Sequence, residues 1–113
     1  MSETAEFVAI SWQADVDEAF AECVANARHE FGHGERTISI LEKDRYMRLR
    51  AKPAPEIEAM TTAYDLIDQS DWRVADNRLW ACALPLCKPD DVPAVDGDWP
   101  PLSGWLFFGM VPV

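Results

Sequence analysis

TISILEKDRYMRLRA, Thr37 to Ala51, carries the clearest period-two pattern in the chain. It contains two alternating segments, Thr37 to Glu42 and Arg45 to Ala51, on either side of Lys43-Asp44. Alternation with period two marks a half-buried strand, and two such runs joined by a short polar step predict a β-hairpin. In the second run Met47, Leu49 and Ala51 point one way while Tyr46, Arg48 and Arg50 point the other. One face is expected in the core and the other in water.

Upstream, Phe7 to Trp12 (FVAISW) is a short β-rich run, followed by Asp15 and Asp17, either of which can cap a helix through its carboxylate. Val16, Phe20, Val24, Ala27 and Phe31 then recur at helical spacing, predicting a first helix that ends near Gly32 and Gly34. Downstream, Pro53-Ala54-Pro55 breaks the strand and opens a second helix, with Pro55 in its first turn and Glu56 and Glu58 near the positive end of its dipole. Ile57, Met60, Tyr64 and Ile67 form its expected buried stripe. Arg78 to Leu84 is an apolar run suited to a buried strand, and Trp105 to Val113 is a candidate for another.

The order β-α-β-β-α-β predicts an α+β domain of split βαβ type, ferredoxin-like or a close variant, in which an antiparallel sheet carries both helices on one face. A C-terminal strand or extension is added to it. Residues 1–113 are expected to form a single domain: a core over 6–86, a connection over 88–103 rich in proline and aspartate, and an apolar segment over 104–113.

A chain with 49% hydrophobic content and five tryptophans can bury a core without disulfide staples. Its three cysteines, Cys23, Cys82 and Cys87, are odd in number and lack CxxC spacing. With no leader-like N-terminus, they point to a reducing cytoplasm. The longest apolar run, Trp105 to Val113, is less than half of a membrane-spanning helix. The net charge of −10 repels nucleic acid and anionic membranes, leaving small molecules, metal ions or proteins as partners.

One motif demands a separate test. HEFGH, His29 to His33, matches the HExxH signature in which two imidazoles one helical turn apart hold zinc and the glutamate, here Glu30, activates water. Yet Phe31 continues the apolar stripe of the first helix, which turns His29 and His33 to its opposite side. Gly32 and Gly34 bracket His33, where a ligand would need rigid backbone, and the chain has no third histidine. A solvent-facing helix end is the favoured reading. Phosphate-binding glycine loops and nucleophile elbows are missing too, so neither a catalytic residue nor a cofactor is expected.

Ile38 to Ala59, ISILEKDRYMRLRAKPAPEIEA, resembles the central segment of the regulatory or coupling (effector) proteins of soluble diiron monooxygenases, the group of methane monooxygenase component B and the phenol and toluene hydroxylase effectors. The shared pattern is an apolar strand ending at Leu41-Glu42-Lys43-Asp44, an aromatic-led strand from Tyr46 to Ala51, then a break and a helix start at Glu56-Ile57-Glu58-Ala59. Phe7 to Ala27 is similar to the family's first strand and helix. The family's Leu-Gly-basic-Pro-aromatic step is replaced here by Leu66 to Trp72, and the tail from Pro85 has no counterpart.

The resemblance implies a non-catalytic protein without a cofactor that docks on a hydroxylase component and alters substrate access, oxygen activation and coupling. Its expected interface is Tyr46, Arg48 and Arg50 with Trp72 and Trp12, because arginine and large aromatics dominate interface hot spots. Two other readings stay open. One is an acidic protein-binding inhibitor, such as an immunity protein or a phage-encoded antagonist; the other is a small HExxH zinc hydrolase using His29, His33 and Glu30.

Overall fold

The structure, a computed structural model, describes residues 4–31, 40, 43–69, 71, 80–91 and 99–112. Its elements are β1 (Thr4–Ser11), α1 (Val16–Phe31), β2 (Arg45–Arg48), α2 (Glu56–Asp68), β3 (Trp80–Leu86), a 3₁₀ turn at Pro89–Asp91, and β4 (Gly104–Pro112). The four strands form one sheet in the order β1-β4-β3-β2. β4 is antiparallel to both of its neighbours, whereas β2 and β3 run parallel. The fold is therefore α+β, with a mixed sheet and two helices.

β1, β2 and β3 all point the same way. The parallel strands β1 and β2, joined through α1, lie at opposite edges with β4 and β3 inserted between them, a variant of the split βαβ arrangement.

Two features of the expected architecture are corrected. The sheet is not purely antiparallel, and the helices do not share a face. Phe7, Ala81, Ala83, Trp105, Phe107 and Val111 pack with Ala19, Cys23 and Ala27 of α1. Cys82, Leu84, Leu86, Leu106 and Phe108 pack with Ala59 and Ala63 of α2. Alternate residues of the same strands thus go to different helices, giving a helix-sheet-helix stack. The topology explains why: β1 to β2 crosses the sheet in one direction and β2 to β3 returns, and two crossovers of the same hand running in opposite directions put their helices on opposite faces.

The second strand of the expected hairpin is shorter than its alternation suggests. β2 is only the four residues Arg45–Arg48, and its partner is β3 in parallel register, Tyr46 opposite Ala81 and Met47 opposite Cys82. Of the expected first hairpin strand, only Ile40 lies within the described residues. It sits in a tight turn whose carbonyl accepts from the Lys43 N–H at 2.9 Å. Lys43 is buried and its Nζ donates to the Met110 carbonyl at 2.6 Å, tying the entry of β2 to the end of β4.

Asp15 is the cap of α1: its Oδ1 accepts from the Glu18 N–H at 3.0 Å, and its carbonyl accepts from the Ala19 N–H at 2.9 Å. The buried stripe of α1 is centred on the small residues Ala19, Cys23 and Ala27, flanked by half-buried Val16, Phe20 and Val24. In α2 the expected stripe is rotated. Ala59 and Ala63 are buried and Met60, Leu66 and Ile67 pack beside them, but Ile57 is 78% exposed and Tyr64 40% exposed. Alanines bring the helix axis close to the sheet, so they occupy the contact line and leave the bulkier Ile57 and Tyr64 to the outer face.

Pro85 sits inside β3 without cost. Its carbonyl accepts from the Ala54 N–H at 3.3 Å, so its nitrogen faces the β2 side. β2 has already ended opposite Ala83. No ladder bond is lost there. After the Leu49 N–H donates to the Ala83 carbonyl at 2.9 Å, the chain leaves the sheet and returns at a single bridge between Ala54 and Leu86, and this detour makes room for the cavity described next.

Candidate binding site

All three parallel strands end on the same side, where β4 begins: Ser11, Arg48, Leu86 and Gly104 mark that end of the sheet. Open sheets with parallel strands place ligands and partners there, because the crossover loops cluster at the strand ends while the faces are covered by helices. Trp12, Arg48 and Arg50, far apart in sequence, are brought to this one end. β1 and β2 are three strand spacings apart, roughly 14 Å, which is the width available between Trp12 and the arginines.

Arg48 and Arg50 are exposed. Among the described residues neither guanidinium is engaged in an ion pair, although the chain carries twenty acidic residues. Trp12 is exposed and lies against Gly104, whose backbone lets the indole edge close over the start of β4.

Tyr46 is placed differently. Its ring packs on Phe20 and Phe107, with centroids 5.3 and 5.9 Å away, and its hydroxyl donates to the Asp17 carboxylate in the first turn of α1. Burial first, then that hydrogen bond and the negative field of Asp17, push the phenol up to about 12. Tyr46 therefore links β2 to α1 and leaves the arginines to face outward. Trp72 lies outside the described residues.

Arg48 and Arg50 line an open cavity of about 530 Å³ that spans the end of the sheet. Its base includes Pro85 and Trp105, which are paired in register between β3 and β4. The detour contributes Leu49, Ala51 and Pro53, and the opposite rim is Trp99, Pro100 and Leu102. Trp105 is fixed by its own hydrogen bond, Nε1 donating to the Ala14 carbonyl at 2.8 Å. Trp99, by contrast, is 68% exposed. Sequence reasoning missed this rim, since Trp99 and Leu102 lie in a stretch dominated by proline and aspartate; an indole and a leucine amid such residues were the available signal.

His29 lies in the last turn of α1 and is exposed, as is Glu30; His33 lies outside the described residues. Among the described residues, no group of three or more histidine, cysteine, aspartate or glutamate side chains is placed to hold a metal ion. The three cysteines are buried and form no disulfide. Burial, with the Glu22 charge beside it, pushes Cys23 up to about 11; burial first, then the charges of Asp91 and Glu58, also raises Cys87. A buried thiol held protonated is a poor nucleophile.

No described helix is long and apolar enough to cross a membrane. Comparison with protein-family models, with curated proteins and with solved structures finds no match to this chain.

Proposed function

We propose that this chain is a non-catalytic regulatory or coupling protein that acts in the cytoplasm by docking on a larger enzyme. The proposed partner is the hydroxylase component of a soluble diiron monooxygenase. The observation that carries the reading is the pair Arg48 and Arg50, exposed without ion-pair partners among the described residues, at the loop end of an otherwise acidic domain. A cationic spot on an anionic protein gives orientation as well as attraction: the field repels misdirected encounters and favours an acidic patch on the partner. Trp12 at the far side of the same end supplies apolar area. The choice of partner rests on the likeness of Ile38 to Ala59 to the effector proteins. Docking that is tighter to one hydroxylase conformation enriches that conformation, which is how a protein without catalytic groups changes substrate access and coupling.

Titration of the chain into a purified hydroxylase, followed by calorimetry, tests the docking step. The wild-type chain is expected to bind, and the Arg48→Glu, Arg50→Glu double variant to bind at least about tenfold more weakly, as loss of well-placed charge pairs requires. Equal binding of the two proteins, or none by the wild type, contradicts the reading. The net charge of −10 favours one other reading, an acidic inhibitor of a basic target; suppression of the hydroxylase with no gain in product under any ratio would select it.

A further inference from the structure

We propose that the cavity at the end of the sheet is a binding site for a small aromatic carboxylate, its carboxylate held by Arg48 and Arg50 and its ring lying against Trp99. Three observations lead there. At about 530 Å³ the cavity is within the size range of small-molecule pockets and has room for a fused ring system. Both charged residues lining it are arginines, in a chain whose net charge is −10. The remaining lining is apolar, and Trp99 leaves about two thirds of its surface in water at the rim, where an aromatic ring can lie against it.

The type of anion follows from the donors. Pro53, Pro85 and Pro100 line the cavity and have no N–H to offer. A phosphate dianion, which needs several backbone donors around it, is poorly served. A carboxylate has two coplanar oxygens that match a guanidinium fork, and its single charge sits on a body that the indoles and prolines can cover. Trp105 already spends its N–H on Ala14, so it serves as a fixed apolar wall. The inference concerns the chain alone and does not depend on the partner proposed above.

The test uses the full ¹⁵N-labelled chain with 2-naphthoate as probe and 2-naphthamide as its neutral twin of the same shape. Indole N–H resonances report binding, and the Trp99 signal is assigned from Trp99→Phe. Saturable shifts are expected at Trp99 and Trp105, with the acid binding at least about tenfold more tightly than the amide, the size of one charge-assisted hydrogen bond. The Arg48→Gln, Arg50→Gln double variant should erase that preference, weakening the acid far more than the amide. In the wild type, added salt should shrink the advantage of the acid, a reading that needs no variant. Equal affinity for acid and amide, or shifts that bypass Trp99, would overturn the proposal. So would tighter binding of a peptide ending in a free phenylalanine carboxylate, which would place the anion on a protein.

Discussion

Phe107 and Phe108 are neighbours in sequence, are both fully buried, and belong to different layers of the molecule. Phe107 packs on the α1 side, with the Phe20 ring at 5.4 Å in an edge-to-face contact, and Phe108 packs on the α2 side. One dipeptide of β4 therefore holds both helices. Phe107→Ala and Phe108→Ala are each expected to cost about 3–5 kcal/mol, the usual range for emptying a buried aromatic site. Urea unfolding measures this. Truncation after Leu102 removes one of the two interior strands and should abolish the cooperative transition altogether.

The close approach at Gly104 makes a second expectation. A Cβ at this position would lie 2.6 Å from the Ser11 carbonyl oxygen and 2.9 Å from the Trp12 ring. The first contact is with paired backbone and cannot relax by a side-chain rotation, so Gly104→Ala should destabilise by about 1–3 kcal/mol and lower the melting temperature.

Ser11 itself goes the other way. Its hydroxyl is buried without a hydrogen-bond partner among the described residues. Ser11→Ala removes a desolvated polar group and is expected to stabilise by about 1 kcal/mol, measured by the same denaturant titration.

Alkaline pH should weaken the fold in a defined window. The Cys23 thiol rises from 9.0 to about 11 and the Tyr46 phenol from 10.0 to about 12 on folding. In both cases the native state keeps its proton where the unfolded chain has lost it. The stability these two groups contribute is therefore fully present below pH 9 and is lost as pH climbs from about 9 to about 12. Cys23→Ala should make the slope between 9 and 11 shallower, with Cys87, also raised on folding, supplying what remains of the thiol part, and Tyr46→Phe should do the same between 10 and 12. Urea midpoints measured across this range check both.

Much of this architecture was legible in the sequence. The Asp15 cap, the first strand and helix, the start of α2 and the apolar runs that became β3 and β4 all follow from local chemistry. What escaped was the second covered face. Ala81 to Leu86 are all buried, as are Trp105 to Phe108, and a strand that is apolar at consecutive positions is one buried on both sides. That pattern argued for helices above and below the sheet, against the alternation in Tyr46 to Ala51 that suggested a wet face. An edge strand satisfies both: at β2, Tyr46 packs under α1 while Arg48, two residues on, reaches past the helix into water. The cavity was illegible for a different reason, since it joins residues 48–53, 85 and 99–105, which only the detour between β2 and Ala54 brings together.

The proposed rise in a larger enzyme's productive use of electrons is read from the coupling ratio of a reconstituted diiron hydroxylase. Product formed and reductant consumed are measured as the chain is titrated in. The ratio is expected to rise to a plateau near equimolar chain and hydroxylase, and to rise less with the Arg48→Glu, Arg50→Glu variant at the same concentration. A ratio that stays flat, or that falls as the chain is added, contradicts the proposal.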